Sequence, residues 1–143
     1  MTGSEFLEDV LSELGVTAIS SEGLTQEDAE FYKRTDTKEN AKWAHSSWTV
    51  QLKLNGRELV TPFRMGRGHT GSPEAAGVVA SLAVDAQSAE ECSTFEEWCD
   101  SMGYDSDSRR MELIYARLKQ EAKNLREWLG EHYERVVQAA CEY

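Results

Sequence analysis

Between Ser72 and Ser108 the chain has nine acidic residues and no lysine or arginine. A stretch without bases cannot neutralise phosphate, which excludes it from direct nucleic-acid binding. Cysteine is scarce as well: Cys92, Cys99 and Cys141 are odd in number and show no C-x-x-C spacing. That argues against a disulfide framework. A zinc site built from these three and His132 would lack the close ligand pairs such sites use. The thiols read better as small hydrophobes. No apolar run approaches the ~20 residues of a membrane span. The acidic stretch Met1–Asp9 has neither the basic nor the apolar region of a signal peptide. A cytoplasmic protein is expected, with no membrane partner.

Four tryptophans and 40% apolar residues in 143 positions suit one globular domain, 1–143. Its expected core is 43–130, with an N-terminal helix, strand and loop over 1–42 and a terminal helix over 131–143. The net charge of −11 is unevenly spread. Residues 1–45 carry −6, residues 46–71 carry +3, residues 72–108 carry −9 and residues 109–143 carry +1. So acidic a chain suits docking on a basic protein surface, not binding nucleic acid itself.

The strongest local pattern runs from Ser47 to Leu54. Trp48, Val50, Leu52 and Leu54 alternate with Thr49, Gln51 and Lys53, the period of a half-buried strand. Asn55-Gly56 then supplies a type I′ turn. A two-residue loop pairs Leu54 with Arg57, Leu52 with Leu59 and Trp48 with Phe63. Pro62 cannot donate to a ladder, which places the returning strand at a sheet edge.

Helices are expected on either side of this hairpin. Phe6, Leu7, Val10, Leu11 and Leu14 make an amphipathic face from Ser4 to a stop at Gly15. Val16–Ser20 is a short strand candidate, Thr25 with Asp28 resembles a capping pair, and Lys33–Asn40 reads as a loop. Ser72-Pro73-Glu74 predicts a helix start, with Ala75, Val78, Val79, Leu82 and Ala86 on its buried side. Thr94 and Glu97 form a capping box before Trp98 and Met102, both expected to face inward, and Gly103. Met111, Tyr115, Leu118, Ala122, Leu125 and Leu129 form the seam of one long helix that ends at Gly130. Tyr133, Val136, Val137 and Ala140 mark a last one. The class is α+β: a small antiparallel sheet built on the hairpin, packed with four or five helices.

Motifs with chemical meaning are few. Gly66-Arg67-Gly68-His69-Thr70-Gly71 matches the dinucleotide fingerprint between a strand and a helix, yet no parallel βαβ crossover follows. It reads as a tight turn whose glycines permit positive φ. Asp85 falls near the apolar side of the following helix and needs a partner. Arg67, His69 or a loop amide would serve, so that Asp85 pins the glycine turn. Asp105-Ser106-Asp107-Ser108 lacks the glycine of a calcium loop and suits helix capping. Cys99 has no activating neighbour in sequence. No catalytic, cofactor or metal residue emerges, and no enzyme activity is expected. The remaining concentration is acidic: Glu90, Glu91, Glu96, Glu97, Asp100, Asp105 and Asp107. Asp100 stands toward the negative end of its helix, one turn after Glu96, so local stability does not explain it.

Several ordered pieces resemble a family of small acidic proteins carried by phages and prophages. They are Trp48-x-Val50-x-Leu52, Pro62-Phe63-x-Met65-Gly66, Gly71-x-Pro73, Phe95-Glu96-Glu97-Trp98 and Gly103-Tyr104-Asp105-x-Asp107-Ser108-Arg109. The likeness covers roughly residues 43–130. The family has no assigned enzymatic activity. The resemblance implies a mobile-element origin and action inside the infected host cell. On this reading the protein inhibits host defence by binding, as an anti-CRISPR protein whose seven acids occupy a DNA-binding subunit of the effector complex. The alternatives are a nucleotide- or small-molecule-binding accessory protein using the Gly66–Gly71 turn, and a phage structural or assembly protein.

Overall fold

A computed structural model describes residues 5–68 and 71–143. Along the chain run α1 (Leu7–Leu14), β1 (Thr17–Glu22), α2 (Gln26–Thr35), α3 (Lys38–Trp43), β2 (Ala44–Leu54), β3 (Arg57–Gly66), α4 (Ala75–Glu90), α5 (Phe95–Met102), α6 (Arg109–Leu129) and α7 (Tyr133–Ala140). A single 3-10 turn, Gly130–His132, joins the last two helices. The strands form one antiparallel sheet in the order β1-β2-β3, so the architecture is α+β.

The hairpin has the expected register: Leu54 faces Arg57, Leu52 faces Leu59 and Trp48 faces Phe63. Asn55 and Gly56 take φ values of 50° and 80°, the conformation a type I′ turn requires. β2 starts earlier than its alternation suggests, at Ala44, with an irregularity in the register between Ala44 and Ser46. β3 is an edge strand. Starting from the bonded pair Leu54–Arg57, the alternation of an antiparallel ladder points the Pro62 nitrogen away from β2, so the proline interrupts nothing.

One face of β2 supplies Val50, Leu52 and Leu54, all fully buried, to the main core. α4 adds Val78, Val79 and Leu82, α6 adds Leu125 and Leu129, and α7 adds Val136. Leu7, Val10 and Leu11 of α1 join the same cluster, so the core draws on both ends of the chain and not only on 43–130. Trp128 Nε1 donates to the Arg57 carbonyl at 3.2 Å, fastening the hairpin turn to α6.

Several local expectations need correction. The helices number seven among the described residues, because Lys33–Asn40 is largely helical. α2 continues to Thr35, and Thr37 caps α3 by accepting from the Asn40 N–H at 3.1 Å. α3 buries no residue, so it has no apolar period to betray it. α4 begins at Ala75, not at Ser72: Pro73 is buried and the backbone stays extended through Glu74 (φ −92°, ψ 152°). α1 begins at Leu7 with Phe6 exposed at its N-cap, and Ser4 lies outside the described residues.

Candidate functional site

A second, smaller apolar cluster carries the acidic segment. Cys92, Trp98, Cys99 and Met111 are buried in it, with Phe95, Ile114, Tyr115 and Leu118 packed around them. Trp98 lies 5.3 Å from the Tyr115 ring and 5.2 Å from the Tyr104 ring. Its Nε1 donates to the Ser88 hydroxyl at 3.1 Å, while the Tyr115 hydroxyl donates to the Cys92 carbonyl at 3.1 Å. α5 is thus held to α6 through aromatic contacts and to α4 through the Trp98–Ser88 bond, while Tyr115 fastens α6 to the segment before α5.

Its N-terminus is built as a capping box. Thr94 Oγ1 accepts from the Glu97 N–H at 3.1 Å. Glu97 Oε2 accepts from both the Ser93 N–H and the Ser93 hydroxyl at 3.2 Å. At the other end Gly103 takes φ 73°, and its N–H and that of Tyr104 reach the Asp100 and Cys99 carbonyls. Asp105 Oδ1 then accepts from the Asp107 N–H at 2.9 Å, and Ser108 caps α6. Capping therefore accounts for the Asp105–Ser108 turn.

The seven acids do not act as one set. Glu90 is drawn away to the α6–α7 side, where Oε2 accepts from Arg126 at 2.6 Å and Oε1 from the Tyr133 hydroxyl at 3.0 Å. Glu97 is committed to its cap. Glu91, Glu96, Asp100, Asp105 and Asp107 are exposed. Glu96, Asp100 and Asp105 converge electrostatically on one buried group, the Cys99 thiol. Burial pushes that thiol up first, and the carboxylates of Asp100, Glu96, Asp105 and Glu112 push it further. A thiol so placed is a poor nucleophile.

Two apolar residues share this surface. Met102, expected inward, is 45% exposed, and Tyr104 is 44% exposed. Cys99 takes the buried position instead. Sequence reasoning also missed Glu112, which joins the acidic group from the first turn of α6 while pairing with Arg109 at 3.3 Å. Its i,i+3 spacing from Arg109 was the only signal.

The other flagged residues lie apart. Cys141 is exposed near the C-terminus, where its sulfur contacts Gln87. Among the described residues no three of His, Cys, Asp and Glu are grouped to hold a metal ion. No helix of the described chain is long and apolar enough to cross a membrane. In the glycine turn Gly68 and Gly71 have positive φ (94° and 81°), while Gly66 does not. Gly66 is needed for another reason: a Cβ there would lie 2.6 Å from Trp43 Nε1. His69 and Thr70 fall outside the described residues. Asp85 does not reach Arg67; it lines a cavity with Tyr32, Trp43, Arg64 and Glu121. The chain matches no family model, no curated protein and no solved structure.

Proposed function

We propose that the protein acts by binding: its α5 face docks on the basic, nucleic-acid-binding surface of a host-defence complex and blocks it. One observation carries this reading. Residues 91–108 hold six acids and no base, they border exposed Met102 and Tyr104, and a dedicated aromatic cluster holds the segment in place. An apolar centre with a charged rim is the composition of a protein-docking surface. Glu96 and Asp100, one helical turn apart, sit ~5–6 Å from each other. That spacing is of the same order as successive phosphates, so an Arg/Lys channel would accept them. The resemblance to small phage proteins supplies the target class, a DNA-binding subunit of a CRISPR effector.

The test is a variant with Glu96→Gln, Asp100→Asn and Asp105→Asn. Glu97 is left intact because its carboxylate holds the α5 cap. After melting no lower than that of the wild type is verified, the variant should fail to compete with target DNA for the effector and fail to protect an infecting phage. Wild-type binding should weaken steeply with salt, since exposed charges are screened within ~8 Å at physiological ionic strength. Full protection by the variant, or competition indifferent to salt, rejects the reading.

A further inference from the structure

On the far side of α4 from the Glu90 contacts, two adjoining cavities open between the edge strand β3 and the helices α2, α4 and α6. They measure about 380 and 190 Å³ and share Thr61, Pro62, Leu82 and Glu121 in their walls. In the larger one Glu27 is exposed, and the two covered acids share one cation. Arg117 bonds Asp28 and, at 3.2 Å, Glu121, and its guanidinium lies 4.5 Å from the Phe31 ring centre.

The smaller cavity is not matched. Arg64 is in its wall, but that guanidinium stacks on Tyr32 at 3.7 Å and binds Asp36 at 2.8 Å. Asp85 receives no hydrogen bond from any described residue, and the charge that bears on it is the like charge of Glu121. Burial, and then Glu121, raise the Asp85 carboxyl to about 6. Trp43 forms a further wall, its ring seated where a side chain at Gly66 would otherwise be. Ser81, also in the lining, brings a hydroxyl as a third acceptor group.

We propose that this smaller cavity binds a primary alkylammonium group, with Asp85 as its counter-ion, Glu121 and Ser81 as further acceptors, and the Trp43 ring against its alkyl chain. An ammonium is compact and carries three donors for three acceptor groups, whereas a guanidinium needs a planar, two-pronged partner. Among the described residues no three acid, histidine or cysteine side chains are grouped to hold a metal ion. An aromatic ring beside the carboxylate also favours an organic cation. The same group occurs on a free amine and on a lysine side chain.

The experiment titrates n-butylammonium chloride into the full chain at pH 7.5 and constant ionic strength. The readout is the Trp43 indole N–H resonance, identified with a Trp43→Phe variant. A saturable shift is expected, and n-butanol of nearly the same shape should produce none. Asp85→Asn should weaken the binding at least tenfold. The variant carrying Glu96→Gln, Asp100→Asn and Asp105→Asn should bind as the wild type does, which separates this site from the α5 face. Parallel titrations with 1,4-diaminobutane and Nα-acetyl-lysine amide identify the source: tighter binding of the first favours a free amine, of the second a polypeptide lysine. A non-saturating response, an equal response to butanol, or equal affinity in Asp85→Asn overturns the proposal. So does Asp85→Asn lowering the melting temperature at pH 7.5, because Asp85 would then be a structural partner in the fold.

Discussion

Carboxylates occur on this molecule in two settings. Around α5 they stand exposed at the surface on a segment without a base. In the cleft beside β3 they are drawn inward, and each must find a cation or suffer for it. Asp28 and Glu121 find Arg117. Among the described residues, the charge that Asp85 of α4 meets is that of Glu121. Unpaired surface charge is cheap and remains open to a partner molecule, whereas unpaired inner charge burdens the fold. The difference separates acids that shape the surface field from acids that shape stability.

Removing the cation of the inner set should have the largest effect. Arg117→Met leaves Asp28 and Glu121 facing one another with no base between them. Breaking a buried pair from one side costs about 3–5 kcal/mol, and these side chains are mostly covered, at 13% and 20% exposure. Urea unfolding at pH 7.5 should show a loss in that range, partly restored by adding Asp28→Asn. A loss below 1 kcal/mol would mean that the cleft is hydrated enough to count as surface.

Asp85 should show the opposite sign. Its carboxyl is raised from 3.8 to about 6 in the fold, so the native state favours the protonated form. This contribution to stability is fully present below about pH 3.8 and is lost as pH rises through about 6. The loss amounts to about 3 kcal/mol at most, at 1.36 kcal/mol for each tenfold change in proton affinity. Asp85→Asn should therefore be more stable than wild type at pH 7.5, with the gap closing toward pH 4. Thermal melts of both proteins across that range measure the difference directly, with the other carboxylates common to both. A gap that stays constant with pH would mean Asp85 does not titrate in this window.

Local order was largely legible in the sequence, and charge pairing was not. Asn55-Gly56 with flanking alternation announces the hairpin because a type I′ turn and a period of two admit one register. Thr94, Glu97 and Gly103 announce α5 because helix ends need particular side chains. α3 was illegible since a helix that buries nothing has no hydrophobic period. Met102 was misplaced because it follows Trp98 by one turn, yet at the end of α5 the small cluster is already filled by Cys99. The capture of Glu90 by Arg126, and the place of Asp85 beside Glu121, join residues 36 apart in each pair, from different helices. No local pattern encodes such pairings.

The cap on α5 gives a smaller, sharper probe of how the acidic segment is held. Thr94→Ala removes the acceptor for the Glu97 N–H and should cost about 1 kcal/mol. Because α5 is attached through its own aromatic cluster, amide exchange should quicken in α5 more than in β2 or α7. Uniform acceleration across the chain would show that the two clusters unfold as one unit.

The smallest effects belong to the outer acids themselves, and there the sign matters more than the size. Glu96 lies in the first turn of α5, where the helix dipole favours a negative charge; Asp100 lies in the last turns, where it does not. Each also repels the other across one turn, by about 0.2–0.5 kcal/mol. Glu96→Gln therefore loses a dipole contribution while relieving repulsion, and the two nearly cancel. Asp100→Asn gains on both counts and should stabilise the protein by about 0.5 kcal/mol, an advantage that fades as salt screens both interactions. Urea midpoints at low and high salt measure this. Equal midpoints for wild type and Asp100→Asn at low salt would imply that Asp100 has a compensating contact in the fold. If Asp100→Asn stabilises as expected and also weakens partner binding, Asp100 is held against the interest of local stability, as a binding residue would be.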